Sequence, residues 1–127
     1  MTVETCVGIP VDGKLLRNYF CTLVNQVYKI LPMREEGTKT LRKYIWRLSA
    51  EIAGGASLYP GLKEDAYYAS LLNILQYLSD HTDDCTVEQT RQLVFEGIHL
   101  CEMLEKKYAD SHKVKEGGAY DKRLEGL

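Results

Sequence analysis

Residues 14–31, KLLRNYFCTLVNQVYKIL, place Leu16, Phe20, Leu23, Val27 and Ile30 at successive spacings of four, three, four and three. An α-helix brings positions so spaced onto one side, so the stretch predicts an amphipathic helix, with Leu15, Tyr19, Val24 and Leu31 widening the stripe. Upstream, Gly8, Pro10 and Gly13 punctuate residues 1–13, which predicts an irregular, flexible arm with Asp12 capping the helix. Downstream, Pro32 lacks an amide hydrogen and restricts the residue before it, so the helix is expected to stop near Leu31.

The same rhythm recurs three more times. Leu41, Ile45, Leu48 and Ile52 repeat at four, three and four, after a polar connector Met33–Gly37 and a capping Thr38 or Thr40. Gly54 and Gly55 are expected to stop this second helix, since each costs roughly 1 kcal/mol in a helix interior relative to alanine. Ala56–Lys63, with Tyr59-Pro60-Gly61, reads as a loop. Glu64 and Asp65 suit the N-terminal end of a third helix marked by Tyr68, Leu71, Leu75 and Leu78, with Leu72 and Ile74 broadening its face. Thr86-Val87-Glu88-Gln89 matches a capping box and opens a fourth helix, expected to reach about Ala109, with Val94, Ile98 and Cys101 on one line and Phe95, Met103 and Leu104 beside it. Beyond Asp110 the period is lost. The prediction is an all-α four-helix bundle with antiparallel neighbours over residues 14–109, an N-terminal arm 1–13 and a flexible tail 110–127.

Composition excludes several classes. An apolar share of 45% and a charged share of 27% are those of a folding chain. Its 127 residues suit one core. No apolar run approaches the roughly 18 residues a membrane span needs, and the N-terminus shows no secretory pattern, which predicts a cytosolic protein without a membrane partner. Cys6, Cys21, Cys85 and Cys101 form no C-x-x-C pair and are expected as free thiols. Charge is unevenly spread: residues 1–63 hold nine cations against five carboxylates, or +4, and residues 64–127 hold seven against thirteen, or −6.

The strongest candidate surface lies on the second helix. Lys39, Lys43 and Arg47 recur every four residues with Arg42 beside them, a stripe suited to phosphates, to an acidic protein surface, or simply to solvent. Trp46, the only tryptophan, lies off the Leu41, Ile45, Leu48 line beside the arginines; exposed it is a binding anchor, otherwise it packs on the arm or a neighbouring subunit. Nine tyrosines against two phenylalanines raise the same choice for Tyr44, Tyr59, Tyr67 and Tyr68, between interface rings and boundary-layer residues. Asp80-His81-Thr82-Asp83-Asp84-Cys85 matches neither calcium nor zinc spacing and reads as an acidic interhelical turn, not a metal site. There is no phosphate loop, no H-E-x-x-H and no G-x-S-x-G, and the carboxylates nearest the core faces, Glu51 and Glu96, read as surface groups. Neither catalysis nor a cofactor is therefore expected.

The stretches Ile30-Leu31-Pro32-Met33-Arg34-Glu35-Glu36-Gly37 and Leu71–Asp80 resemble a loose group of short helical proteins from low-GC bacteria and their prophages or integrated elements. That resemblance implies a mobile-element role, as an inhibitor of a host defence complex or an accessory subunit. In architecture the chain also resembles the four-helix accessory proteins of diversity-generating retroelements, which are oligomeric, bind nucleic acid and are strongly basic, as this chain is not. Three readings follow: a non-enzymatic, homo-oligomeric interaction module contacting a larger protein complex through the basic stripe and Trp46; a nucleic-acid-binding accessory protein using the same cations; and an oligomeric sponge for a nucleotide-like anion.

Overall fold

Leu16, Phe20, Leu23, Val27 and Ile30 are each at most 4% exposed in the computed structural model, which describes residues 2–117 and the side chains of residues 2–109. The first helix, α1 (Lys14–Tyr28), is followed by α2 (Ile30–Glu36), α3 (Thr38–Leu58), a single-turn 3-10 segment (Pro60–Glu64), α4 (Ala66–Asp80) and α5 (Val87–Gly117). The fold is all-α apart from a two-stranded antiparallel hairpin, β1 (Thr2–Glu4) with β2 (Pro10–Asp12), in register Thr2 to Asp12 and Glu4 to Pro10. This hairpin occupies the arm expected to be irregular. Its turn closes on Gly8, whose φ of +82° favours a residue without a side chain, and on the Thr5 hydroxyl, which donates to the Ile9 carbonyl at 2.8 Å and accepts the Ile9 amide at 3.2 Å. The Cys6 amide then donates to the Leu58 carbonyl at 2.7 Å, joining the hairpin to the end of α3.

Two expected stops do not stop. Pro32 lies inside α2 because the helix breaks earlier, at Lys29, and restarts at once; Pro32 then falls in a first turn, where its missing amide forfeits no intrahelical bond. The segment Met33–Glu36 is therefore helical. The turn comes at Gly37, whose φ of +147° lies where side chains are strained. Gly54 and Gly55 are likewise interior to α3. The buried Tyr68 hydroxyl donates to the Ile52 carbonyl and accepts the Ala56 amide at 3.1 Å, a carbonyl and an amide one turn apart. A Cβ on Gly55 would sit 3.4 Å from that oxygen and 3.6 Å from Leu62, at ordinary contact distance.

Capping follows the chemistry of the sequence at three helix starts and departs from it at α3, where Gly37 takes the cap position expected of Thr38 or Thr40 and no side chain caps the helix. Asp12 Oδ1 accepts the Lys14 amide at 2.9 Å at the start of α1. Asp65 Oδ1 accepts the Tyr67 and Tyr68 amides at 2.9 and 3.2 Å at the start of α4. Thr86 and Gln89 exchange the two bonds of a capping box at 2.9 and 3.1 Å, and the helix they open continues past Ala109 to Gly117. Residues 118–127 of the expected tail lie outside the described residues.

Core residues come from every long helix: Phe20 and Val27 of α1, Ile45 and Ile52 of α3, Leu71 and Leu75 of α4, Val94 and Leu104 of α5. Helix α5 packs against α1 and α4, α4 packs against α3, and α2 reaches both α3 and α5. Tyr44 of α3 donates to the Gln26 carbonyl of α1 at 2.6 Å, and Tyr19 donates to Glu51 Oε2 at 3.2 Å. Asp65, 5% exposed, also accepts Lys107 Nζ at 2.6 Å, tying the start of α4 to α5. Val27 and Leu71 pack over Gly97 of α5, where a Cβ would lie at ordinary contact distance, 3.5 and 3.7 Å from their methyl groups.

Candidate binding groove on α3

Lys39, Arg42, Lys43, Trp46 and Arg47 are all exposed on α3, the side of the helix that Leu41, Ile45, Leu48 and Ile52 leave to solvent. Trp46 is 67% exposed and is not among the residues of the core. Its indole stands in a groove between α3 and the last turn of α4. One arm of the groove, about 580 Å³, is lined by Lys39, Arg42, Lys43, Trp46, Ser79 and Asp80. The other, about 320 Å³, runs past Trp46 over the small residues Ser49, Ala50 and Ala53 to Gln76. Trp46 and the Ser79–Asp80 pair border both arms. Arg47 lines neither, being turned one step further round the helix.

The electrostatics are mixed. Arg42 donates to the carboxylate of Asp83, which is held below the usual carboxylate range first by the Thr38 side chain and then by Arg42. Asp80 adds a second carboxylate on the groove wall. Among the described residues Lys39, Lys43 and Arg47 have no ion-pair partner. A cationic edge therefore faces an acidic one across the tryptophan.

The tyrosines divide. Tyr44 and Tyr68 turn their hydroxyls inward onto backbone carbonyls, while Tyr67 and Tyr77 are exposed. In the acidic segment after α4, the Thr82 hydroxyl donates back to the Leu78 and Ser79 carbonyls, the His81 ring lies 4.2 Å from that of Tyr77, and Asp83 belongs to Arg42. Among the described residues no three His, Cys, Asp or Glu side chains gather closely enough to hold a metal ion. Glu51 and Glu96 are exposed. Burial pushes the Cys101 thiol up to about 12, with Glu102 adding to the shift, and also raises Cys85. Cys6 and Cys21 are exposed, and all four cysteines are free thiols.

A second concavity, absent from the sequence reading, lies between the α1–α2 junction and the first turns of α5. Phe95, placed on the core side from its spacing, is 50% exposed there. The signal available in the sequence was Arg91, four residues before Phe95 and therefore on the same side of the helix.

Comparison with protein-family models, curated proteins and solved structures finds no match to this chain. Among the described residues no helix is long and apolar enough to cross a membrane.

Proposed function

We propose that this chain is a non-enzymatic protein-interaction module that seats an acidic, partly apolar segment of a larger partner in the α3–α4 groove. The observation carrying this reading is Trp46, two-thirds exposed where the two arms of the groove meet. An indole left in water forgoes roughly 2 kcal/mol or more of burial free energy, which a partner restores, and tryptophan is enriched among residues that dominate interfaces. Lys39 and Lys43 supply the charge that orients an acidic segment, and Ser49, Ala50 and Ala53 let its backbone approach. In this reading the long helices form an antiparallel four-helix bundle, a rigid frame for the groove. The resemblance to mobile-element proteins extends the proposal to a host defence complex as the partner, and to a homo-oligomeric module.

Affinity capture from the source organism tests it, with nuclease digestion in parallel. Trp46→Ala combined with Lys43→Glu is expected to lose the captured protein while the melting temperature moves by less than about 2 °C, both positions being exposed. Capture that survives the double substitution, or that nuclease abolishes, removes the assignment.

Nucleic acid is the second reading, favoured by Lys39, Lys43 and Arg47 at four-residue spacing, which have no ion-pair partner among the described residues. Three phosphates neutralised in a duplex give a log–log salt slope near −3, and a flat response eliminates it. Asp80 and Asp83 beside the same groove repel a polyanion, so the protein partner is preferred.

A further inference from the structure

The concavity between the α1–α2 junction and α5 has a volume of about 500 Å³, within the range of small-molecule sites. Its walls carry two aromatic rings, Tyr28 and Phe95, which are 52% and 50% exposed, and the aliphatic Val87, 47% exposed. Two guanidinium groups, Arg34 and Arg91, line the same space, and among the described residues neither has a carboxylate within ion-pair distance. Glu35 is the one carboxylate on the lining, which leaves a net positive site.

Arg34 is the informative residue. Its Nη2 donates to the Cys85 carbonyl at 3.2 Å, which anchors the guanidinium against the segment leading into α5. Its Nε is shut off from solvent and has no hydrogen-bond partner. A buried donor left unsatisfied is costly, the more so on a charged group, and native chains rarely retain one without a reason. Arg34 nonetheless lines the cleft, where an entering acceptor meets the part of the guanidinium that faces it. Carboxylates and phosphates are the acceptors that match a guanidinium fork, and aromatic rings are what Tyr28 and Phe95 accommodate. The macrodipole of α5, whose N-terminal turns line the site, has the same preference for an anion.

We propose that this cleft binds a small aromatic anion, its carboxylate or phosphate held by Arg34 and Arg91 and its ring set against Tyr28 and Phe95. This site is separate from the Trp46 groove, and neither proposal depends on the other. The shared chemistry, a ring bearing an anionic group, occurs in aryl carboxylates and in nucleoside monophosphates. The test therefore uses 2-naphthoate and adenosine 5′-monophosphate as probes, with 2-naphthalenemethanol and inorganic phosphate as half-ligands.

Binding is read by calorimetry and by amide chemical-shift changes on the full chain. One or both probes are expected to bind at least tenfold more tightly than either half-ligand, with shifts at Thr90, Arg91 and Phe95. Arg91→Gln and Phe95→Ser, both at exposed positions, are each expected to weaken binding about tenfold with the fold retained. Arg34→Lys keeps the charge but removes the Nε donor and the planar fork, and is expected to weaken binding by a similar factor. Which probe wins assigns the anionic group. Failure of both probes to bind at millimolar concentration, binding of the half-ligands as tight as that of the probes, or affinity indifferent to Arg91→Gln and Phe95→Ser overturns the proposal.

Discussion

Replacing Asp65 with alanine removes three interactions at once, and their separate sizes follow from the geometry. Oδ1 accepts two amides of the first turn of α4, one of them on the buried Tyr68, and Oδ2 accepts the Lys107 ammonium at 2.6 Å. Loss of an N-cap side chain costs about 1 kcal/mol, and a buried amide left without an acceptor carries this toward 2 or more. The ion pair is asymmetric, since the Asp65 side chain is 2% exposed and that of Lys107 46%. Solvent on the lysine holds the pair's own contribution to about 1 kcal/mol. Asp65→Ala is therefore expected to destabilise by about 3 kcal/mol, which for a domain of this length lowers the melting temperature by roughly 10 °C. Asp65→Asn keeps an oxygen for the two amides but sets an amide donor against the Lys107 ammonium in place of Oδ2, so about 1–2 kcal/mol is expected. Lys107→Ala should cost more than its exposure suggests, because it strands a buried carboxylate. Urea denaturation of the single mutants and of Asp65→Ala with Lys107→Ala closes a double-mutant cycle, with a coupling energy near 1 kcal/mol expected. If Asp65→Asn proves as damaging as Asp65→Ala, the capping account is wrong. If the coupling vanishes, the ion pair contributes nothing.

Further outcomes follow from neighbouring features. Gly97→Ala places a methyl group 3.5 Å from Val27 and improves helix propensity, so the urea midpoint is expected to hold or rise, with a gain of up to about 1 kcal/mol; Gly97→Leu overfills the crossing and should lower it by about 1–3 kcal/mol. Burial raises the ionisation of Cys101 to about 12 and of Tyr108 to about 12, and raises Tyr68 as well. The unfolded chain loses these protons first, from about pH 9–10, so stability is complete below that range and declines as pH rises toward 12; a melting temperature constant from pH 8 to 11 contradicts this. Alkylation of the native protein at pH 8 is expected to modify Cys6 and Cys21 and spare Cys85 and Cys101, as mass spectrometry of the intact chain would reveal.

The four apolar stripes and two of the caps were legible in the sequence because both depend on neighbours three or four residues apart. Leu16 through Ile30, Leu41 through Ile52 and Tyr68 through Leu78 are buried where their spacing placed them. Punctuation was misread wherever tertiary contacts decide. Gly54-Gly55 stays helical with the Tyr68 hydroxyl, from another helix, bridging the Ile52 carbonyl and the Ala56 amide beside it, and Pro32 is tolerated because the break at Lys29 moves it into a first turn. The hairpin was hidden because strands of three residues offer no alternation to detect. Of the α3–α4 groove, the α3 side was readable as a cationic stripe with a tryptophan. Its opposite wall, Ser79 and Asp80, and the Arg42 to Asp83 pair join residues about forty positions apart, beyond the reach of local spacing.

The bond from the Cys6 amide to the Leu58 carbonyl makes the first strand a mechanical fuse. Tension applied at the N-terminus meets that bond and the β1–β2 ladder before any of it reaches α1. Parting them frees roughly a dozen residues, or about 40 Å of contour. A pulling trace anchored there should show one small early step, with the helices yielding only afterwards, and a trace without that step would show that the hairpin shields nothing.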